Sequence, residues 1–202
     1  MFFSFEGIDG SGKTTQLARL ATRLEATGLT VVSTREPGGT RLAEAIRALL
    51  LDSQGEVNAR AELLLFGASR AAHVAQIIRP ALESSQWVLS DRFADSSEAY
   101  QGALDLDPDF IRAMNRFATD ELQPKRTFFL DVAPEVGFER RRGNGEDRIE
   151  ARGLKFLATV RANYLEIARR EPDRIIVLDG ALSIDELDEL IWQDVEAFLV
   201  SG

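Results

Sequence analysis

The 202-residue chain has no cysteine and a single histidine, His73. Disulfides, cysteine-ligated zinc, iron–sulfur clusters and thiol nucleophiles are therefore excluded, and there is no histidine pair for a metal site or a proton relay. Positive charge is in deficit, with 24 Lys+Arg against 33 Asp+Glu and a net charge of −9. Such a balance repels a polyanion, so a nucleic-acid backbone is not the expected partner, although a few local cations can still hold a small anion. No apolar run approaches the ~20 residues that cross a bilayer. The opening MFFSFEGIDG lacks a basic segment and reaches Glu6 at once, unlike a secretory signal. The expectation is a cytoplasmic protein with no membrane partner.

What is present is an ordinary globular balance, 45% hydrophobic and 28% charged residues, at a length that suits one domain over 1–202. Short apolar runs at Phe2–Phe5, Leu29–Ser33, Trp87–Ser90, Thr127–Val132 and Ile175–Leu178 alternate with amphipathic stretches. Several runs are apolar throughout, as expected when helices cover both faces of a parallel sheet. Lys13–Ala26 reads as a helix, Asp107-Pro108 as a helix start, and Leu157, Val160, Tyr164 and Ile167 as one helical face. Ser183 with Glu186 reads as a capping box ahead of the stripe Ile184, Leu187, Ile191, Val195 and Phe198. The pattern predicts an α/β fold of three layers, a central parallel five-stranded sheet flanked by helices. One stretch, Arg140–Arg152 (RRRGNGEDRIEAR), lacks apolar periodicity and reads as a loop, or a loop with frayed helix ends.

Gly7-Ile8-Asp9-Gly10-Ser11-Gly12-Lys13-Thr14 matches G-x-x-x-x-G-K-[ST] and lies between a strand and a helix. Glycines let the backbone wrap a phosphate chain, the amides point inward, and the helix start favours the anion. Lys13 reaches the outer phosphates and the Thr14 hydroxyl suits Mg²⁺. All eight residues are candidate ATP ligands. With no N-K-x-D tetrapeptide and only 202 residues, a small-molecule kinase is favoured over a GTPase switch or a large ATPase. Arg35, after the second strand, and Arg92, at the end of the third, stand where an α/β sheet collects ligands. They suit an acceptor that is itself a phosphate, because two approaching phosphates repel. A cap or ion-pair role is the alternative for each.

The ordered set FEGIDGSGKTTQ, TREPGGT, LLLFGASRAAHV, SDRFADSSEAYQG, TFFLDVAPEVG and GEDRIEARG resembles bacterial thymidylate kinases over essentially the whole chain. The resemblance implies a P-loop kinase fold, ATP-dependent conversion of dTMP to dTDP, Mg²⁺ dependence and a homodimer. It further implies that Phe66 stacks on thymine, Arg70 donates to its O4, and Asp9 accepts from the 3′-hydroxyl. Ser97 and Tyr100 would meet the base edge and pack over it, with Tyr164 beside the sugar. Asp91 would sit near Mg²⁺ through water. Phe66 also fits a core position beside Leu63, Leu64 and Leu65, and Asp9 a turn-forming one. His73 carries no role beyond that of a satisfied helix residue. Gly10 replaces an arginine found in some members, so the arginine-rich stretch 140–152 is expected to act as a lid. Arg140, Arg142 and Arg148 are the candidates there, with Arg142 and Arg148 joining Lys13 and Arg92 as the catalytic set. An apolar helix face near residues 63–78 is a candidate dimer surface. A deoxynucleoside kinase and a slow ATP-hydrolysing switch are the competing readings; neither calls for both arginines around an acceptor phosphate.

Overall fold

Phe3 and Phe5 on one side of the first strand, and Phe2 on the other, are all buried, so β1 (Phe2–Glu6) has no solvent face. Each wholly buried phenylalanine stabilises the fold by roughly 1.5–3 kcal/mol relative to exposure. The computed structural model describes residues 1–52, 57–141 and 148–199. After β1 come α1 (Lys13–Ala26), β2 (Val31–Arg35), α2 (Arg41–Leu51) and α3 (Ala59–His73). A π-helical turn, Val74–Ile78, runs α3 into α4 (Arg79–Glu83), followed by β3 (Trp87–Asp91), α5 (Ala94–Gly102) and α6 (Pro108–Thr119). The remainder is β4 (Arg126–Asp131), α7 (Pro134–Arg141), a 3₁₀ turn at Glu150–Arg152, α8 (Gly153–Arg170), β5 (Ile175–Asp179) and α9 (Ile184–Leu199).

The five strands form one parallel sheet in the order β2-β3-β1-β4-β5. Leu17, Leu20 and Leu24 of α1 pack with Leu187, Ile191 and Val195 of α9 over Phe3, Phe5 and Phe128 on one face. On the other, Val160, Tyr164 and Ile167 of α8 meet Phe129, Ile175 and Tyr100, while Val74, Ile78 and Phe93 cover Phe2 and Val88. This is the three-layer architecture expected. The helix signals also hold. Asp107 accepts from the Asp109 amide, and the Ser183 and Glu186 side chains each accept from the other's backbone amide. The second strand begins two residues late because Leu29 still closes the α1 turn and pairing starts at Val31 opposite Trp87.

The arginine-rich stretch resolves into helix ends. Arg140 and Arg141 complete α7, and Glu150–Arg152 leads into α8; positions 142–147 lie outside the described residues. No helix among the described residues is long and apolar enough to cross a membrane.

The strand order sets the location of the site. β1 leaves the sheet between β3 and β4, and its neighbours' carboxyl ends diverge there. Glu6, Asp91 and Arg35 end three adjacent strands, with Asp91 registered against both Phe5 and Arg35. Ligands of open α/β sheets enter at such a crevice.

Candidate active site

The turn between β1 and α1 is shaped by close backbone approach. A Cβ at Gly7, whose φ is +141°, would stand 2.7 Å from the Leu130 carbonyl oxygen and 2.8 Å from Ser11 Oγ, so glycine is required. α1 starts at Lys13 with no side chain capping its first amides, which leaves those donors open to an anion. The Lys13 ammonium donates to the Ile8 carbonyl at 3.0 Å and lies 3.8 Å from Asp9 Oδ1. Its burial, together with the nearby Arg92, lowers its pKa, against the pull of Asp9, Asp91 and Glu6. Thr14 donates its hydroxyl to Asp91 Oδ2 at 2.6 Å.

The turn floors a large, open cavity of about 1130 Å³ that takes in Lys13, Thr14, Arg35, Asp91, Arg140 and Arg141. A smaller one, about 140 Å³, is walled by Phe66, Arg70, Ser97, Tyr100 and Ile149 among others. Asp9, Glu36, Arg47 and Arg92 belong to both.

Arg92 stands at that junction in a left-handed conformation, φ 73°. Its Nη2 donates to Asp9 Oδ1 at 2.8 Å and to the Tyr100 hydroxyl at 3.2 Å, while Nη1 donates to Ser96 Oγ at 3.2 Å and to the Tyr164 hydroxyl at 3.3 Å. Burial alone would raise the Asp9 carboxyl; Arg92 and Lys13 outweigh it and hold that group well below the usual carboxylate range. Behind Arg92, wholly buried Glu6 accepts from the Phe93 amide at 2.7 Å, from Ser96 Oγ and from the Tyr164 hydroxyl at 2.8 Å. Burial and the neighbouring Asp95 push it up to about 7, against Ser96, Arg92 and Tyr164.

Residues 5–191 match the family model described as Thymidylate kinase. A thymidylate kinase of Bifidobacterium longum subsp. infantis is 47% identical over 204 residues, covering 98% of this chain and 87% of that one. One of Thermosipho africanus is 45% identical over 202 residues, spanning 100% of both chains. The chain belongs to the thymidylate kinase family. Among solved structures, thymidylate kinase from Ehrlichia chaffeensis superposes with a TM-score of 0.74 at 40% identity, over 88% of this chain and 91% of that one. Membership makes the chain a phosphotransferase that converts dTMP to dTDP, and the five-stranded parallel sheet is the fold that goes with it.

For a thymidylate kinase, the geometry sorts the residues expected to form the site. Phe66, partly buried and packed against the apolar cluster that holds Tyr100 and Ile149, is also a wall of the small cavity, and Ser97 and Tyr100 are walls of the same cavity. Arg70 lines that cavity too, but it is almost wholly committed within the protein. Nε donates to Glu36 at 2.8 Å, Nη1 to Ser97 Oγ at 3.0 Å and Asn115 Oδ1 at 2.6 Å, and Nη2 to the Phe93 carbonyl at 3.0 Å. A guanidinium has five N–H groups, so one on Nη2 remains for a ligand. Arg35 and Arg92 face the large cavity together, Arg35 held by Glu44 at 3.1 Å.

Two of the expected residues are engaged within the protein, away from the cavity walls. Tyr164 is not a wall of either cavity; its hydroxyl is drawn inward by Glu6 and Ser96, and its ring stacks on Phe129 at 4.9 Å. Arg148 does not reach the phosphate-binding turn. Buried Glu62 takes its Nη2 at 2.6 Å and the Leu50 carbonyl its Nε at 3.0 Å. Arg142 lies outside the described residues; among the described members of that stretch, Arg140 and Arg141 line the large cavity.

Sequence reasoning missed Glu36, a buried carboxylate that joins Arg70 to His73 Nδ1 at 3.0 Å, while His73 Nε2 meets Thr34 Oγ1 at 2.7 Å. His73 is thus satisfied, but by Thr34 of β2 and by Glu36 just after that strand, not by its own helix. Arg47, shared by both cavities, was missed as well. Its position in the amphipathic run after Thr40 reads as a solvated face, and nothing local marks it.

Proposed function

We propose that this enzyme transfers the γ-phosphoryl group of ATP to dTMP directly, in one in-line step within a single kinase domain. An oxygen of the dTMP phosphate forms the new bond to Pγ as the bond from Pγ to the departing ADP oxygen breaks. The residues Gly7–Thr14 carry the ATP phosphates in this reading, with Lys13 against the outer ones. The small cavity takes the thymine base, between Phe66 and the α5 residues Ser97 and Tyr100, with the remaining Arg70 donor aimed at a base carbonyl. Such a site favours thymine over cytosine, since a guanidinium cannot accept from an amino group. Asp9, at the junction, suits the sugar hydroxyl.

The observation that carries this reading is the position of Arg92 in both cavities, 2.8 Å from Asp9. A cation held there lowers the repulsion between donor and acceptor phosphates, and it is rigid before either arrives. Arg35 and Arg47 add charge on the same side, and Arg140 and Arg141 reach from α7 toward the transferred group.

Thr14 and Asp91 are hard oxygen ligands in contact at 2.6 Å, and among the described residues no cluster of three His, Cys, Asp or Glu stands by to form an all-protein cage. That donor set fits Mg²⁺, which keeps much of its shell for phosphate and water oxygens. Bound there, it would draw charge off the transferred phosphoryl group.

Phe117 is 88% exposed, and Phe110 and Leu64 are more than half exposed on the neighbouring faces of α6 and α3. These support a homodimer built on that layer, and a cytoplasmic enzyme suits its two substrates. The direct transfer is tested with ATP made chiral at the γ-phosphorus: one displacement inverts the configuration in dTDP, and retention would mean a phosphoenzyme and overturn the scheme.

A further inference from the structure

Glu62 is wholly buried and is itself a wall of neither substrate cavity. Its Oε1 accepts from Gln101 Nε2 at 2.9 Å and Arg152 Nη1 at 3.1 Å, and its Oε2 from Arg148 Nη2 and Arg152 Nη2, both at 2.6 Å. A buried charge of this kind adds little net stability over an apolar filling, so its retention asks for another account. The elements it ties together supply one. Arg148 also binds the carbonyl of Leu50 at the end of α2, Gln101 belongs to α5, and Glu62 itself is one helical turn before Phe66 on α3. Leu51, Phe66, Gln101 and Ile149, one from each of those four segments, are walls of the small cavity. Ile149 lies between the two arginines in sequence and is 8% exposed.

We propose that Glu62 is a positioning residue of the acceptor site. By clasping Arg148 and Arg152 it seats Ile149 as the wall that faces the dTMP base across from the α5 residues. The segment 148–152 has little apolar surface of its own beyond Ile149, which packs in the cluster that also takes in Phe66 and Leu51, so the ionic clasp adds the polar tie that fixes its distance from α3. The arginines outweigh the burial that would raise the Glu62 carboxyl and hold it below the usual value, so the clasp is charged at neutral pH. The inference rests on the reading that this cavity takes the base.

Steady-state kinetics on Glu62→Gln, Ile149→Ala, their double variant and Phe66→Ala test it. Glu62→Gln should raise KM for dTMP about tenfold with kcat changed less than about threefold and KM for ATP unchanged. Ile149→Ala should do the same with the clasp intact, and the double variant should be no worse than the poorer single variant by more than about threefold, because Glu62 acts through Ile149. Limited trypsin digestion of Glu62→Gln should cut faster after Arg148 and Arg152, and dTMP should slow it. An unchanged KM for dTMP in Glu62→Gln, or multiplied losses in the double variant, overturns the inference. If Glu62→Gln does not fold, Arg152→Gln, whose side chain is partly exposed, is read by the same criteria. Phe66→Ala separates the two layers of argument. Loss of dTMP affinity there with none in Glu62→Gln removes only the positioning role, whereas no loss in Phe66→Ala removes the base-site reading beneath it.

Discussion

Gly10 and Gly137 meet backbone to backbone. A side chain on Gly10 would collide with the carbonyl of Gly137, and a Cβ on Gly137 would stand 2.6 Å from the carbonyl oxygen of Asp9. The contact presses α7 onto the phosphate-binding turn and brings Arg140 and Arg141 to the large cavity, where Arg140 Nη2 is fixed on the Gly180 carbonyl at 3.0 Å. It also explains why the turn carries no arginine of its own at position 10: there is no room for one.

Gly137→Ala should therefore displace α7 and lower kcat by roughly 10–100-fold, the cost of misplacing a catalytic cation by about an ångström. KM for dTMP should change less than kcat does, because no α7 residue lines the small cavity and the added methyl presses on the Asp9 backbone and Ile8 rather than on the base walls. Near-normal kcat in a folded Gly137→Ala protein would show that the close approach is not needed for turnover.

Arg70→Ala is expected to act on stability as well as on binding. The Arg70 and Glu36 side chains are 1% and 3% exposed, and deleting the arginine leaves a carboxylate buried with His73 as its remaining partner. Breaking a buried pair in this way costs about 3–5 kcal/mol, a fall in Tm on the order of 10 °C for a chain of this size. Arg70→Lys should not restore it, since an ammonium cannot span Glu36, Asn115, Ser97 and the Phe93 carbonyl from one plane. A Tm within about 2 °C of the parent would contradict the network.

Glu6 predicts a pH dependence of stability. Its carboxyl is pushed up from 4.5 to about 7 in the fold. Between those values the folded state binds more protons than the unfolded state, so unfolding releases a proton and stability falls as pH rises. The contribution is complete below about 4.5 and lost as pH passes through about 7. Chemical denaturation from pH 5 to 8 should show the parent losing stability relative to Glu6→Gln, whose amide does not titrate. A constant difference across that range would contradict the assignment.

The strands, the phosphate-binding turn and three helix starts were legible because each rests on local chemistry: apolar runs, glycine spacing, and Asp-Pro or Ser-x-x-Glu at a helix start. Arg92 was legible from its place at a strand end. Glu36, Glu62 and Arg47 were not, because a lone acid or arginine in an amphipathic helix or loop looks the same whether it faces water or a partner 34 residues away, as Glu36 and Arg70 do. Tyr164 was read correctly as an inward helix position, yet its hydroxyl turns to Glu6 and not to the cavity, a choice made by a carboxylate 158 residues distant. Arg148 and Arg142 look alike in the arginine-rich stretch. The partner that holds Arg148, Glu62 on α3, is 86 residues distant in sequence.

The central claim, a base cavity and a phosphate cavity joined at Arg92, is tested most directly by acceptor-dependent ADP release. ATP and Mg²⁺ are supplied with dTMP, dUMP, thymidine or no acceptor, and Lys13→Ala serves as the control that keeps the fold and loses turnover. The account predicts rapid ADP formation with dTMP, and only background rates with thymidine or without acceptor, since Arg92 and Arg35 are arranged for an acceptor that already carries a phosphate. Thymidine phosphorylated as fast as dTMP, or ADP formed at the same rate with no acceptor present, would contradict it.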